Sequence, residues 1–136
     1  MTPRPKINAF LICDTIIQDR VTNKRSLIGV FHNIATPAFP CTHPMTSIYV
    51  NFIDAMGEYR IEINLVEVTT GKTVGRASLP PFEVKDRLRS TEISIALQNL
   101  TFHNPGKYEF QLSANEELLA SKDFLVDRVE RPEVKD

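Results

Sequence analysis

The chain is poor in the residues from which catalytic and metal sites are usually built. Its 136 residues include two cysteines, three histidines, five glycines and no tryptophan. The glycines are isolated from one another, so neither a G-x-G-x-x-G fingerprint nor a phosphate-binding P-loop is present. No G-x-S-x-G nucleophile elbow occurs either. We therefore expect a protein that has no cofactor and is not an enzyme.

The chain also lacks a long apolar run and an excess of one charge. Its longest apolar run, residues 9–13, is far shorter than the roughly 20 residues that cross a bilayer. Asp14 interrupts what would be the apolar region of a signal peptide, and no small-residue cleavage site follows. The net charge is −1, from 16 basic and 17 acidic residues, which is a poor footprint for nucleic acid. These observations predict a cytoplasmic protein that binds neither membranes nor nucleic acid.

The chain is rich in segments where apolar and polar residues alternate with a period of two. The clearest lie in residues 58–68 and 107–114, where every second residue from 59 to 65 and from 108 to 114 is apolar, as in a half-buried strand. Turn residues separate such segments at intervals typical of a sandwich, and no confident helix emerges. The pattern predicts an all-β fold, an antiparallel β-sandwich of about eight strands. We place one domain at residues 7–127, between a flexible lead-in (1–6) and a charged C-terminal tail (128–136).

The last third of the chain contains the signature of a tyrosine corner. Asn104-Pro105-Gly106 predicts a turn, because proline fixes φ and glycine tolerates positive φ. The strand that Tyr108 then opens resembles the corner of immunoglobulin-like sandwiches. The second bridge cysteine of an immunoglobulin domain would stand where this chain has Phe110. We therefore predict an immunoglobulin-like sandwich without that disulfide, in which Cys13 and Cys41 are buried free thiols.

Several short motifs resemble a family of small bacterial proteins of unknown function. They are AFLICD at 9–14, LIGVF at 27–31, PAFPCTHP at 37–44 and NPGKYEFQL at 104–112. Together they extend the resemblance over most of the chain, from about residue 8 to about residue 126. The resemblance implies a compact intracellular β-sandwich, and it brings no catalytic or binding residue to this chain.

The first predicted hairpin, residues 7–17 with 26–35, is apolar on both faces. Only one face of each sheet in a sandwich reaches the core. The other face must be covered by the proline-rich loop, by the segment around Phe82, or by another subunit. Two interpretations therefore stay open: cover from within the chain, and a homodimer or protein partner that binds through this hairpin. The candidate contact residues on the outer face of the first strand are Leu11, Cys13 and Ile17.

Lys85, Arg87 and Arg89 form a second candidate surface, a small basic group interleaved with Leu88. The group could contact an acidic partner, although a solvated loop is the ordinary interpretation of such residues. The main functional hypothesis is a non-enzymatic binding or scaffold module that acts through a sheet surface or an edge strand.

The competing hypothesis is a small metal-binding protein or enzyme that uses Cys41, His43 and His103. Structural zinc usually draws on pairs spaced C-x₂₋₄-C or H-x₃₋₅-H, whereas Cys41-x-His43 is tighter and has no second pair. A reactive thiolate needs an electropositive setting. Cys13 instead precedes Asp14, and no basic residue adjoins Cys41. We therefore assign no catalytic residue and no metal ligand.

Overall fold

Every regular element of the computed structural model, which describes residues 2–130, is a β-strand. Within those residues, no helix has the length and hydropathy that a membrane span requires. The predicted all-β class is confirmed. The prediction of about eight strands is wrong, because segments 26–35 and 58–68 are each divided between two strands and residues 82–84 form another. The eleven strands are β1 (Lys6–Gln18), β2 (Arg25–Val30), β3 (Asn33–Thr36), β4 (Cys41–Ile53), β5 (Gly57–Tyr59), β6 (Ile61–Glu67), β7 (Thr73–Ser78), β8 (Phe82–Val84), β9 (Thr91–Phe102), β10 (Gly106–Ala114) and β11 (Glu117–Arg128).

Two larger sheets and one small sheet make up the fold. The first sheet has the order β2-β1-β4-β9, the second has the order β3-β11-β10-β6-β7, and β5 pairs with β8. The strands pair antiparallel except β3 and β11, which are parallel. The inner faces of the larger sheets enclose the aromatic and aliphatic core, so the chain is a two-layer sandwich. Its largest fully buried side chains are Tyr59, Tyr108, Phe52, Phe102 and Phe110.

The chain changes sheets between β2 and β3. Gly29, near the end of β2, has φ +72°, a conformation that favours glycine. Phe31 follows, and its ring lies 5.6 Å from the ring of His43 and 6.4 Å from that of Phe124 on the second sheet. Ile34 of β3 is then buried in the core. The switch explains why one continuous apolar segment of the sequence forms two strands.

The far end of the β1–β2 hairpin leaves the plane of the first sheet. β1 pairs with β4 only up to Cys13, whereas its pairing with β2 continues to Gln18. Arg25 Nε donates to Ser94 Oγ at 2.9 Å, and Arg25 Nη1 lies 3.2 Å from Glu92 Oε1. β2 and β9 are opposite edges of this sheet, three strand spacings or about 14 Å apart. Because one side chain does not span that distance, the hairpin end leans across the outer face of the sheet.

The predicted tyrosine corner is present. The Tyr108 hydroxyl lies 2.7 Å from the carbonyl oxygen of Asn104 and 2.9 Å from Glu67 Oε2, and its one hydrogen serves these two acceptors. The ring is fully buried and meets Phe102 edge to face, with centroids 4.8 Å apart. The corner therefore ties the turn before β10 to the end of β6.

The N-terminal residues, predicted as a flexible lead-in, make specific contacts with the sandwich. The Tyr59 hydroxyl donates to the carbonyl oxygen of Pro3 at 2.7 Å. Arg4 donates to Glu117 Oε1 at 2.7 Å and to the carbonyl oxygen of Leu118 at 2.9 Å. A buried tyrosine hydroxyl needs a hydrogen-bond partner, and the chain before β1 supplies one.

The C-terminal boundary lies close to the predicted one at residue 127. β11 ends at Arg128, and the N–H of Val129 donates to the carbonyl oxygen of Thr36 at 3.0 Å. Residues 131–136, most of the predicted charged tail, lie outside the described residues.

Candidate interaction surface

The exposed side of the β1–β2 hairpin is the candidate site. In the antiparallel register, Ile17 lies opposite Ser26 and Ile28 opposite Thr15, with Val30 two residues further along β2. Paired residues share a face of the hairpin. Ile17, Ile28 and Val30 are 53%, 48% and 46% exposed. We call these three side chains the hairpin face.

Cys13, predicted as a contact residue, is not part of this surface. It is fully buried, and its thiol lies 3.5 Å from the carbonyl oxygen of Thr15 and 3.6 Å from that of Ser47. Burial and then the charge of Asp14 raise the pKa of the thiol, which disfavours the thiolate. Cys13 lies opposite Val30 in the register, but its side chain is fully buried, so the prediction that it contacts a partner is wrong. Leu11 is half-buried, so of the three predicted residues Ile17 is the most accessible.

A polar network holds the hairpin end against the sheet. Besides its ion pair with Arg25, Glu92 accepts a hydrogen bond from the Tyr49 hydroxyl. Desolvation, followed by the hydrogen bond to Glu92, raises the pKa of Tyr49 to about 12, so the hydroxyl stays a donor at neutral pH. The Arg25 side chain is only 18% exposed, so solvent screens its ion pair less than it screens a fully exposed pair. We call Arg25, Tyr49, Glu92 and Ser94 the hairpin latch.

The second predicted surface, the basic loop of residues 85–90, connects β8 to β9. Lys85, Arg87 and Arg89 are all exposed. Arg89 Nε lies 3.3 Å from Asp86 Oδ2, and the N–H of Leu88 donates to Asp86 Oδ1 at 3.0 Å. These contacts shape the loop from within and leave Lys85 and Arg87 facing solvent.

The hairpin contacts β9 close to the point where the basic loop ends. The loop ends at Ser90, and β9 begins with Thr91. Glu92 and Ser94, which follow at once, are the residues that Arg25 of the hairpin contacts. Sequence reasoning missed Arg25 and Glu92, because no local pattern indicates a contact between opposite edges of a sheet.

The predicted alternative ligands Cys41, His43 and His103 each lie in different surroundings. His43 Nε2 lies 3.6 Å from Asp14 Oδ1, and its ring packs on Phe31. Cys41 is a half-buried free thiol, and His103 is exposed just after β9. Within residues 2–130, no group of three or more histidine, cysteine, aspartate or glutamate side chains is arranged to hold a metal ion.

Glu67 is a buried carboxylate at the tyrosine corner, 8% exposed. Thr70 Oγ1 donates to it at 2.8 Å, Tyr108 contacts it at 2.9 Å, and Asn104 Nδ2 donates at 3.4 Å. Hydrogen bonds from Thr70 and then Tyr108 hold its pKa below the ordinary value of 4.5. The buried charge of Glu67 is therefore compensated by the hydrogen-bond donors around it. The arrangement is structural and closes one end of the sandwich.

Comparison with known proteins places the chain in a family. A family model described as a family of unknown function, DUF6941, matches residues 8–127. The chain belongs to this family. The match agrees with the resemblance noted from the sequence, and it spans nearly all of the described sandwich. No functionally curated protein matches the DUF6941 chain.

Solved structures resemble this DUF6941 chain in fold. One is the alkylpurine DNA glycosylase of Pseudomonas fluorescens bound to DNA containing an abasic site analogue, at a TM-score of 0.58 and 13% identity, over 93% of this chain and 31% of that chain. Another is an immunoglobulin-like protein of Pseudomonas aeruginosa, at 0.40 and 12%, over 92% and 98%. A β-glucosidase of Listeria innocua in complex with laminaribiose scores 0.47 at 10%, over 93% and 17%. The chain thus spans about a third of the glycosylase, and at such identity the likeness concerns the fold alone.

Proposed function

We propose that this protein is a non-enzymatic binding module, and that it holds a protein partner on the hairpin face. The observation that carries the proposal is the side-by-side exposure of Ile17, Ile28 and Val30 on one face of two paired strands. Single exposed aliphatic residues are common, whereas adjoining ones mark interaction sites. Burial of these side chains against a partner would contribute about 25 cal/mol of favourable free energy per Å² of apolar surface.

The edge position of β2 supports the same proposal. Among the strands of residues 2–130, β2 is hydrogen-bonded to β1 alone, so its other side presents backbone donors and acceptors. An extended segment of a partner that pairs with this edge would extend the hairpin by one strand. Its alternate side chains would then lie beside the hairpin face, because neighbouring strands share their faces. The β2 edge and the hairpin face would therefore bind the backbone and the apolar side chains of the same partner segment.

The test is selection of random dodecapeptides displayed on phage against the immobilised full chain. Peptides selected on the wild type should bind Ile28→Ser at least ten-fold more weakly. They should bind Leu125→Ser with unchanged affinity, because Leu125 is similarly exposed (46%) but lies on the second sheet. Circular dichroism would confirm that both variants fold. Failure to select any peptide, or equal binding to Ile28→Ser, would overturn the proposal.

Native mass spectrometry of the same proteins addresses a second copy as the partner. A dimer that Ile28→Ser dissociates and Leu125→Ser preserves would keep the hairpin face as the binding surface and make the partner the chain itself. A dimer that neither variant affects would place self-association elsewhere and would contradict that assignment.

A further inference from the structure

The basic loop lies beside the hairpin end, and this placement points to the chemistry of the partner. Resting on the binding function proposed above, we propose that the partner segment is acidic, and that the hairpin face and the basic loop bind it together. The hairpin face takes its apolar side chains, and the exposed basic side chains of both elements take its carboxylates.

The hairpin latch brings the two elements within reach of one peptide. Arg25 touches Glu92 and Ser94, and the loop ends at Ser90, two residues before Glu92. Two extended residues span about 7 Å. An extended segment of eight to ten residues, about 30 Å long, therefore reaches from the hairpin to the loop.

The charge of this region contrasts with the rest of the chain. Residues 19–25 and 85–92 carry six basic and three acidic side chains, within a protein of net charge −1. All three acids are already engaged. Asp19 accepts from the N–H groups of Val21 and Thr22, Asp86 binds within the loop, and Glu92 belongs to the latch.

Four basic side chains of the region remain available. Within the described residues, they take part in no ion pair, whereas Arg25 and Arg89 do. They lie on both elements, two near the hairpin turn and two in the loop: Arg20, Lys24, Lys85 and Arg87.

Beside the loop, a shallow groove of about 350 Å³ is lined by Phe82, Glu83, Val84, Lys85, Asp86, Arg89 and Thr91. Its charged side chains are of both signs, and Asp86 is already bound to Arg89 within the loop. Phe82 and Val84 would take aliphatic side chains of the partner, and Lys85 would take a carboxylate.

The charges also argue for a foreign partner over a second copy. A two-fold interface would set the same surface against itself, and the available basic side chains of the two copies would face one another. Like charges across an interface cost affinity. A polypeptide fits better than nucleic acid, because the hairpin face and the free β2 edge offer aliphatic contacts and strand pairing.

The composition of the phage-selected dodecapeptides tests this inference separately from the function. Aspartate and glutamate should be enriched, in alternation with aliphatic residues. The triple variant Lys85→Glu, Arg87→Glu, Arg89→Glu should bind a synthetic selected peptide at least ten-fold more weakly, as measured by fluorescence anisotropy. The matched control Arg76→Glu, Lys107→Glu, Arg128→Glu changes net charge equally at exposed positions outside both elements, and should bind within two-fold of the wild type.

Each contrary outcome has its own meaning. Selected peptides that lack acidic residues, yet need Ile28, would leave the binding function standing and overturn the acidic partner. If the two triple variants weakened peptide binding equally, the effect would follow from net charge alone, and the acidic partner would be overturned too. A single-stranded dT₁₂ oligonucleotide that binds as tightly as the selected peptide would show a general polyanion site in place of a polypeptide site. Failure to select any peptide would overturn both proposals.

Discussion

Arg25 on β2 and Ser94 on β9 are joined by a 2.9 Å hydrogen bond, although their strands form opposite edges of the same sheet. The bond requires the hairpin end to cross the outer face of that sheet. Ser47 of β4, whose hydroxyl donates to the carbonyl oxygen of Asp14 at 3.4 Å, is 5% exposed. The same crossing brings the hairpin next to the basic loop. Arg25 therefore links the hairpin to the strand that follows the basic loop.

Removal of the latch arginine should loosen the hairpin while the sandwich stays folded. In Arg25→Met, amide hydrogen exchange of β2 should become faster, and the free energy of unfolding should fall by about 1 kcal/mol. The control is Arg76→Met, since Arg76 also contacts a carboxylate and a polar side chain but is 64% exposed within the second sheet. Arg76→Met should lower the free energy of unfolding by less than about 0.5 kcal/mol. Unchanged exchange of β2 in Arg25→Met would show that the latch does not hold the hairpin.

The tyrosine-corner hydroxyl should contribute measurably to stability. Tyr108→Phe removes the donor that Asn104 and Glu67 share and leaves a buried carboxylate with one partner fewer. We expect a loss of about 1–2 kcal/mol, seen as a lower urea midpoint with an unchanged m-value. A midpoint equal to that of the wild type would argue that the hydroxyl does no more than fill space.

Glu67 should make stability depend on pH on the acidic side. Its pKa is lowered by the hydrogen bonds from Thr70 and Tyr108. The folded state therefore binds a proton less readily than the unfolded state, so the stabilisation is present above pH 4.5 and is lost as pH falls through the folded pKa. Urea midpoints between pH 7 and pH 3 should fall less steeply in Glu67→Gln than in the wild type. Parallel curves would contradict this role for Glu67.

Gly29 should resist substitution more than Gly71. Both have positive φ, +72° and +74°, so alanine is strained at each. A Cβ at Gly71 would meet open space, whereas one at Gly29 would lie 2.3 Å from Asp14 Oδ2. We expect Gly71→Ala to lower the free energy of unfolding by about 1 kcal/mol, and Gly29→Ala to lower it by about 1 kcal/mol more, as measured by urea denaturation.

Asp14→Ala tests the cause of that difference. In this background the two glycine substitutions should cost the same, because the clashing carboxylate is gone. A difference that persists in the Asp14→Ala background would place the strain in the backbone of β2.

The local parts of the fold could be predicted from the sequence. The alternation in residues 107–114 and the turn before Tyr108 are short-range signals, and both the strand and the corner are present. The division of residues 26–35 between two sheets was not predictable in the same way. The second sheet, which receives Ile34, is built from residues far along the chain.

The candidate site was predicted in part. The excess of apolar residues on the first hairpin and the basic character of residues 85–89 are visible in the sequence. The burial of Cys13 and the meeting of the two elements depend on the angle at which the hairpin leaves its sheet. The contact between Arg25 and β9 accompanies that angle, and no periodicity in the sequence reveals it.

Backbone chemical-shift mapping with the phage-selected peptide tests the central claim most directly. The account predicts that the amide signals that move on titration of the ¹⁵N-labelled full chain lie in residues 17–30 and 85–92. Shifts centred on Leu118 and Leu125 of β11, or on Cys41 and His43, would contradict the claim that the hairpin face and the basic loop form the binding surface.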